Sequence, residues 1–362
     1  MARIDALFDL LLAQGASDLH LGVGYPPLAR ARGDLVPLRP ERLTAHDMES
    51  LLFEILEPGQ RQRFETEHDL DFAYALGEKA RFRCNYFTKE TGIAAVFRTI
   101  PTRIRSLEDL GCPEIVRKLA ERRAGLILVT GPTGSGKSTT LAAMLRHINE
   151  TRPCHILTVE DPVEFVHEPL KAQVTHREIG RDADSFPSAI RSAGREDPDV
   201  ILIGELRGNE TMKLALQLAS FGVLVFATVH TNSAPATVDR FINVFAADEQ
   251  PQVRGMLAES LAGIVAQQLV KTADGKSRVA ALEILLGTSG IAAMIREGKT
   301  FQIPSVMQAG QAQGMQTMDM ALERLVLDKR VTFAEAYEKA SDKENFQKLQ
   351  TRVPGSGAKA GG

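Results

Sequence analysis

Residues 126–138 constrain the fold more than any other stretch of this chain. The apolar run LILVT leads into GPTGSGKS, and TTLAAMLRHI follows with the periodicity of a helix. The segment from Gly131 to Ser138 matches G-x-x-x-x-G-K-[ST] at every fixed position. Glycines allow backbone N–H groups to converge on phosphate oxygens, and the positive end of the helix points at the same anion. The sequence therefore predicts a strand, a phosphate-binding loop and a helix.

Each residue of this loop is a candidate ligand for a nucleoside triphosphate. Lys137 would bring a full positive charge next to the β- and γ-phosphates, and Ser138 would offer a hydroxyl ligand to Mg²⁺. The sequence carries no guanine-specifying motif, which favours ATP. A chance match to the pattern is the alternative. The predicted cofactor-binding residues are Gly131, Pro132, Thr133, Gly134, Ser135, Gly136, Lys137, Ser138 and Thr139.

From about residue 124 onward, apolar runs alternate with helical stretches, which is typical of a parallel α/β sheet. The runs are 126–130, 155–159, 200–204, 223–228 and, with a weaker pattern, 279–285. Beyond residue 288 the pattern predicts helices. The last ten residues are rich in glycine, alanine and serine, which predicts a disordered tail.

The first 100 residues follow a different pattern. Extended runs separated by turn residues, as in DLDFAYALGEKARFRCNYF, predict an antiparallel sheet, which a helical stretch at 45–65 interrupts. A short amphipathic helix is predicted at the N-terminus. Residues 101–113 contain two prolines and no strong period, which indicates a linker. The predicted divisions are 1–100, 101–113, 114–288, 289–352 and a tail at 353–362.

Composition limits the class of protein. The chain has 362 residues, enough for two domains, and is 44% hydrophobic and 25% charged. Its net charge of −3 argues against a broad surface for nucleic acid. No apolar run reaches the roughly 18 residues of a membrane span, and Asp5 and Asp9 interrupt the start, unlike a signal peptide. The three cysteines lack CxxC spacing and are expected to be reduced thiols.

Three carboxylates follow the strand that is predicted after the helix of the loop. The sequence LTVEDPVEF brings Glu160, Asp161 and Glu164 to the carboxyl edge of the sheet, where ligands bind in open α/β folds. A helix cap or a solvated turn is the alternative. Beside a phosphate loop, three carboxylates favour a functional role, and Asp161 is a candidate near the metal.

The strand VILI ends in Gly204-Glu205, at a point where P-loop ATPases usually carry an aspartate that helps to hold Mg²⁺. Glu205 is the first candidate for positioning and deprotonating the attacking water, or for holding the metal through water. Glu160 and Glu164 compete with it for the role of base. Sequence cannot measure the reach of a general base to its water, so this choice stays open.

His230 follows the strand VLVFAT and is expected at the same edge of the sheet. A lone histidine is usually an ordinary surface or core residue. In this setting a phosphate-sensing role is favoured, because the imidazole can donate to a γ-phosphate and lose that contact after hydrolysis.

Four segments, in this order and spacing, resemble the secretion ATPase superfamily, which includes the hexameric ATPases of type II secretion and type IV pili. They are GPTGSGKST, VEDPVEF, REDPDVILIGELR and VHTNSA, which resemble its Walker A motif, Asp box, atypical Walker B motif and His box. Further stretches narrow the resemblance to PilT-like type IV pilus retraction ATPases: GASDLHL, RFRCNYF, AVFRTIP, IREGK and GMQTMD. The resemblance extends over about residues 3–347.

The resemblance implies a homohexamer with an α/β fold, in which a PAS-like N-terminal domain joins a RecA-like ATPase domain and nucleotide binds between them. Arg81 and Arg98, by position, would approach the phosphates when the domains close, because a guanidinium suits charge spread over several oxygens. Ordinary strand-surface arginines are the alternative. Arg195 is another candidate around the site, and Arg207 is a candidate at the subunit interface.

The resemblance also implies partners and a location. ATP and Mg²⁺ would be the cofactors of a cytoplasmic motor at the inner-membrane base of a pilus. Closure around the ring during hydrolysis would rotate or translate a docked platform protein of the inner membrane (PilC-like), which would draw pilin subunits back into the membrane. A PilU-like paralogue is a further candidate partner. Neither nucleic acid nor direct membrane insertion is expected.

The chain also departs from the family pattern. Gly208 stands where relatives commonly carry an aspartate. Ser220 stands where they usually carry an acidic residue, and Val223 where they usually carry a histidine. The stretch from Gly290, GIAAMIRE, only partly matches a helical motif associated with productive retraction. These departures motivate the alternative of an accessory PilU-like paralogue or a nucleotide-binding regulator with weak hydrolysis. A P-loop kinase or a nucleic-acid translocase is disfavoured by the lack of an acceptor-binding lid in the sequence and by the negative charge.

Overall fold

The computed structural model describes residues 2–31, 34–100 and 103–351. The predicted tail at 353–362 and the first two residues of the predicted linker lie outside this range. The chain forms two compact units, Met1–Arg103 with Asp161–Val166, and Ile104–Glu160 with His167–Gly362. Within the described ranges, no helix is both long enough and apolar enough to cross a membrane.

The described part of the first unit contains a six-stranded antiparallel sheet, as the alternating pattern predicts, with the strand order β3-β2-β1-β6-β5-β4. The strands are β1 (Asp18–Gly22), β2 (Leu28–Ala31), β3 (Asp34–Pro37), β4 (Asp69–Leu76), β5 (Ala80–Lys89) and β6 (Gly92–Ile100). The helices are α1 (Asp5–Ala13), α2 (Ala45–Leu52) and α3 (Pro58–Glu67), with a 3-10 turn at Phe53–Ile55.

The two faces of this first sheet differ because side chains alternate along each strand. On β5, Phe82 is fully buried, whereas Arg83 beside it is exposed. Phe82 stacks on Phe8 of α1 with ring centroids 4.1 Å apart, and Phe97 of β6 meets Phe8 edge-on. An aromatic core therefore covers one face of the sheet and leaves the arginine-bearing face uncovered by it.

In the described part of the second unit, seven strands form one sheet in the order β13-β12-β7-β11-β10-β8-β9. The strands are β7 (Gly125–Thr130), β8 (His155–Glu160), β9 (Gln173–Glu178), β10 (Val200–Ile203), β11 (Leu224–Val229), β12 (Leu261–Lys271) and β13 (Arg278–Leu286). Every neighbouring pair is parallel except β12 and β13, which are antiparallel.

The helices of the second unit fall into two groups. Those before β12 are α4 (Glu114–Ala120), α5 (Lys137–Thr151), α6 (Phe186–Ala193), α7 (Asn209–Ser220), α8 (Ala234–Asn243) and α9 (Gln250–Ser260). Those after β13 are α10 (Ser289–Glu297), α11 (Ile303–Ala309), α12 (Met318–Leu327), α13 (Phe333–Lys339) and α14 (Lys343–Gln347), with 3-10 turns at Thr300–Gln302, Gln311–Gln313 and Lys348–Thr351.

Apolar cores cover both faces of this second sheet. On β10, Ile201 and Ile203 join one cluster with α6, α7 and α8, whereas Val200 and Leu202 join another with α4 and α5. A strand that is buried on both faces needs apolar residues at every position, which explains its unbroken run. Strands β9 and β12 were not predicted from the sequence, because β9 is largely polar and β12 continues α9 without turn residues between them.

Gly287 allows the hairpin of β12 and β13 to close. A Cβ at this position would lie 1.7 Å from the backbone oxygen of Leu261, an atom that cannot rotate away. We expect Gly287→Ala to lower the free energy of unfolding by at least about 2 kcal/mol, because the two strands must separate to admit a methyl group. Urea unfolding would measure this change.

Gly290→Ala is the matched control for that substitution. A Cβ at Gly290 would meet only the hydroxyl of Thr288, at 3.9 Å, and the residue lies in α10. Alanine should leave stability unchanged or raise it by up to ~1 kcal/mol, since it restricts the unfolded chain. Equal losses in the two variants would contradict the steric argument.

A pair of histidines joins the segment before β9 to β9 itself. The backbone N–H of His167 donates to Nε2 of His176 at 3.1 Å, and Nδ1 of His176 lies 2.9 Å from the hydroxyl of Thr158. Because Nε2 accepts a bond, Nδ1 carries the proton of the neutral ring. Burial, and then the nearby His176, lower the pKa of His167 from 6.5 to about 4.

Acidification should therefore destabilise the second unit. His167 takes up its proton more readily in the unfolded chain, so its contribution to stability is complete above pH 6.5 and is lost as the pH falls toward 4. The expected loss is on the order of 2–3 kcal/mol. His167→Gln should flatten the pH dependence of thermal unfolding in this window, whereas the same change at the exposed His46 should not. If His167→Gln kept the wild-type pH dependence of thermal unfolding, the acid sensitivity could not be assigned to His167.

Candidate active site

The carboxyl ends of four parallel strands lie side by side in the second unit. Thr130 of β7 is opposite Val229 of β11, and Ile203 of β10 is opposite both Ala227 of β11 and Val159 of β8. The residues that follow these strands therefore emerge along one edge of the sheet, which is where open α/β folds bind ligands. They are residues 131–136, 204–205 and 230, and Glu160, the last residue of β8, lies at the same edge.

The loop between β7 and α5 has a backbone that only its glycines permit. Gly131, Gly134 and Gly136 have φ angles of 144°, 78° and 87°, a region that other residues avoid. Lys137 begins α5 with a buried side chain, and its Nζ donates to the carbonyl oxygens of Gly131 and Pro132 at 2.9 and 3.2 Å. The loop therefore encloses a positive charge at the N-terminus of a 15-residue helix.

The hydroxyl of Ser135 also indicates an anion. This side chain is 4% exposed, and its Oγ has no hydrogen-bond partner among the residues that the structure describes. A buried polar group without a partner costs about 1–3 kcal/mol, and a phosphate oxygen would satisfy it. Ser138 and Thr139 stand in the first turn of α5. These residues fit a nucleoside triphosphate, and the Ser138 hydroxyl is of the type that binds Mg²⁺.

Gln267 lies on β12, a strand that the sequence pattern did not predict, and was not among the predicted site residues. Its side chain is buried against the phosphate loop and donates to the carbonyl oxygen of Ser135 at 2.7 Å. The signal that could have located β12 was the run LAGIVAQQLV, which is apolar except for its two glutamines. A glutamine in such a run is expected to have a specific partner when it is buried.

Two of the candidate catalytic residues meet. Oε1 of Glu205 lies 3.2 Å from Nε2 of His230, and Oε2 lies 2.8 Å from Nε of Arg207. The side chain of Glu205 is only 21% exposed, whereas that of Arg207 is 82% exposed. Both carboxylate oxygens of Glu205 are thus oriented at the sheet edge, with one of them toward the histidine.

Gly204 faces Glu160 across the two neighbouring strands. The backbone N–H of Gly204 donates to the carbonyl oxygen of Val159 at 2.8 Å. A Cβ at Gly204 would lie 3.3 Å from both this oxygen and the Cα of Glu160, which is closer than most real contacts. An aspartate at residue 204 would therefore crowd Glu160, a buried residue at the end of β8. Asp161 and Glu164, which follow Glu160 in sequence, belong to the first compact unit.

A chain of threonines fixes the segment that carries His230. The hydroxyl of Thr130, at the end of β7, accepts from the backbone N–H of Thr231 at 3.1 Å. The hydroxyl of Thr231 in turn lies 2.6 Å from that of Thr237 in α8. His230 is thereby held in register with the strand that enters the phosphate loop. These threonines were also missed, since isolated threonines carry no distinctive pattern.

The two candidate arginines of the first unit share one face of its sheet. Arg98 of β6 is opposite Arg83 of β5, and Arg81 lies two residues from Arg83 on the same strand. Nε of Arg98 donates to Oδ1 of Asp18 at 2.8 Å. Burial would raise the pKa of Asp18, but hydrogen bonds from Ser17 and Arg98 outweigh it and lower the pKa. Asp18 is therefore a fixed negative charge that orients Arg98.

Arg195 does not emerge at the carboxyl edge of the second sheet. It precedes β10, and its neighbour Glu196 accepts a bond from Nδ1 of His155 at the start of β8. The amino ends of β8 and β10 lie together, a strand's length from the phosphate loop. Arg195 is therefore separated from the other candidate residues of its own chain.

Three residues that depart from the family pattern, Gly208, Ser220 and Val223, lie outside the phosphate loop. Gly208 is the N-cap of α7, and no atom lies within 4 Å of a Cβ built there. Ser220 ends α7 with its hydroxyl 3.0 Å from that of Ser260, and Val223 precedes β11 at the amino edge. An aspartate at residue 208 would cap a helix. The departures thus affect a helix end and the opposite edge of the sheet.

Comparison with known proteins places this site in a family. Residues 62–355 match the Type II/IV secretion system protein family. The chain is 49% identical to the type IV pilus retraction ATPase PilT of Pseudomonas aeruginosa, covering 92% of this chain and 96% of that protein. It is 38% identical to the type IV pilus ATPase PilU of the same organism, covering 97% and 92%.

A crystal structure of the pilus retraction motor PilT with bound ADP matches 96% of this chain and 99% of its own, with a TM-score of 0.89 and 40% identity. The match supports the predicted α/β fold class, with a RecA-like ATPase domain and an N-terminal domain, which is therefore confirmed. The predicted resemblance is confirmed as well: this chain is a member of the type II/IV secretion system protein family.

Proposed function

We propose that this chain hydrolyses ATP to power the retraction of type IV pili, and thereby twitching motility. The observation that carries the proposal is the Glu205–His230 pair on the sheet edge that bears the phosphate loop. A carboxylate and a histidine beside a triphosphate can position a water molecule and detect the loss of the γ-phosphate. The likeness to PilT supports the proposal that this hydrolysis is coupled to a pilus.

The phosphate loop, residues 131–139, would hold ATP. Its backbone N–H groups, Lys137 and the Ser135 hydroxyl would bind phosphate oxygens. Ser138 would hold Mg²⁺ together with the phosphates, and Asp161 or Glu205 would contact the metal through water. Bound Mg²⁺ would neutralise charge on the β- and γ-phosphates. Arg81 and Arg98 would stabilise the same charge during turnover, because guanidinium groups bind several phosphate oxygens at once.

Glu205 would orient and deprotonate the attacking water. Its contact with His230 supports this choice over Glu160 and Glu164, since a change at the γ-phosphate could then reach the base and the sensor together. Glu160 would act as a second carboxylate at the edge, beside the place where Gly204 leaves room for it. Arg195 stays a candidate that acts from outside the phosphate edge of its own chain.

The assembly would be a homohexamer in the cytoplasm at the inner-membrane base of the pilus. Its partners would be a PilC-like platform protein and a PilU-like paralogue. The sequence-derived divisions at residues 100, 113 and 288 are proposed as the borders of a PAS-like domain, a linker, an ATPase core and a C-terminal helical region. Arg207, largely exposed beside Glu205, is proposed at the subunit interface.

The alternative of a regulator with weak hydrolysis rests on Gly208, Ser220 and Val223. These residues lie at a helix cap and at the amino edge, and none of them is a proposed ligand of the water or the metal. The greater identity to PilT than to PilU also favours the retraction motor over the accessory paralogue.

Glu205→Gln should bind ATP with nearly unchanged affinity and lose at least about 100-fold in kcat, because an amide cannot accept the proton of the water. Phosphate release and binding of a fluorescent ATP analogue measure the two effects separately. Glu210→Gln, an exposed carboxylate in the first turn of α7, is the control and should retain full turnover. If Glu160→Gln or Glu164→Gln alone abolishes turnover while Glu205→Gln does not, the base is assigned wrongly.

The cellular function is tested by deletion of the gene in its own organism. Loss of a retraction motor should give cells with excess surface pili and no twitching, and the Glu205→Gln chain should fail to restore twitching. Surface pili would be counted by electron microscopy and movement scored on agar. Unchanged retraction in the deletion strain would instead assign the chain to an accessory role.

A further inference from the structure

Gln267 connects two parts of the phosphate loop that are apart in sequence. Its Nε2 donates to the carbonyl oxygen of Ser135 at 2.7 Å, and its Oε1 accepts from the hydroxyl of Thr140 at 2.7 Å. Ser135 belongs to the loop, whereas Thr140 lies in the first turns of α5. Gln267 is only 3% exposed, so its carboxamide is shielded from water.

Both fixed glycines of the loop pattern are pressed against this same residue. A Cβ at Gly131 would lie 2.3 Å from the backbone oxygen of Gln267, and a Cβ at Gly136 would lie 2.9 Å from its Nε2. Glycine is therefore needed at residue 131 for the approach of β12 as well as for the approach of phosphate, and a side chain at residue 136 would displace the Gln267 carboxamide. The loop is packed between β12 and the start of α5.

The register of the sheet explains why this residue reaches the loop. Ala266 of β12 pairs in parallel with Thr130 of β7, so Gln267 lies beside Gly131 where the loop begins. Side chains alternate along a strand, and Gln268 therefore projects to the opposite face. The two neighbouring glutamines thus differ in direction, and only the first makes the two loop contacts described above.

We infer that Gln267 is the positioning residue that holds the phosphate loop in its nucleotide-binding shape, an inference that rests on the proposed ATP site. With its carbonyl group bound to Gln267, the Ser135 peptide has one orientation, which fixes the direction of the loop N–H groups. The bond to Thr140 ties that orientation to the N-terminal end of α5. The loop therefore meets the triphosphate without first being ordered, which raises affinity.

Gln267→Leu tests the role, because leucine has a similar volume but makes neither hydrogen bond. We expect the Kd for a fluorescent ATP analogue and the KM for ATP to rise about tenfold, the effect of losing two buried hydrogen bonds. The value of kcat should fall by less than about threefold, since the base at Glu205 is untouched. Gln268→Leu is the matched control and should keep the wild-type Kd and KM.

Thr140 provides a second route to the same test, in case Gln267→Leu does not fold. Thr140→Val removes one of the two bonds and should raise the Kd by about threefold, and Thr140→Ser, which keeps the hydroxyl, should restore it. A residue with only a structural role would lower the melting temperature of the nucleotide-free protein without this split between KM and kcat.

The inference is overturned if Gln267→Leu binds the ATP analogue as tightly as the wild type, or if Gln268→Leu weakens binding equally. It is also overturned if kcat falls as much as KM rises. These outcomes differ from failure of the proposed function, in which the wild-type chain itself would not bind or hydrolyse ATP.

Discussion

The contact between the phosphate loop and strand β12 is the constraint on which the active site depends. The backbone oxygen of Gln267 occupies the space that any side chain at Gly131 would need, and its carboxamide holds the Ser135 peptide. A loop of this kind is usually explained by its ligand alone. In this chain a neighbouring strand imposes the same requirement for glycine, so the loop is shaped before any nucleotide arrives.

The parallel register gathers the remaining chemistry at one edge. Strands β7, β8, β10 and β11 end side by side, and each of them leads to the phosphate loop or to a candidate site residue at the same edge. The aspartate that is usual at the end of β10 is replaced by Gly204, and Glu160 of the adjoining strand fills the space next to it. With Glu205 following Gly204 after β10, the edge holds two carboxyl groups at the ends of neighbouring strands.

The location of the residues that depart from the family pattern shows which part of the structure each of them affects. Gly208 removes a side-chain cap from α7, which costs only a few tenths of a kcal/mol relative to a good cap. Ser220 and Val223 lie near the amino ends of the strands, at the edge of the sheet opposite the phosphate loop. A change at these residues therefore acts on a helix cap or on the amino edge of the sheet.

The sequence by itself determined the loop, the apolar runs, the α/β class and the family, because each of these depends on residues close together in the chain. Gly131 to Ser138 and the unbroken apolar strands have signatures within a few positions. Only the tertiary structure decided that Gln267 binds Ser135, 132 residues away, and that Thr130 holds Thr231, 101 residues away. It also decided that Glu205 meets His230 and that Arg195 lies apart. Contacts across a sheet depend on strand order and register, and strands that are distant in sequence carry no local mark of the neighbours beside which they will pack.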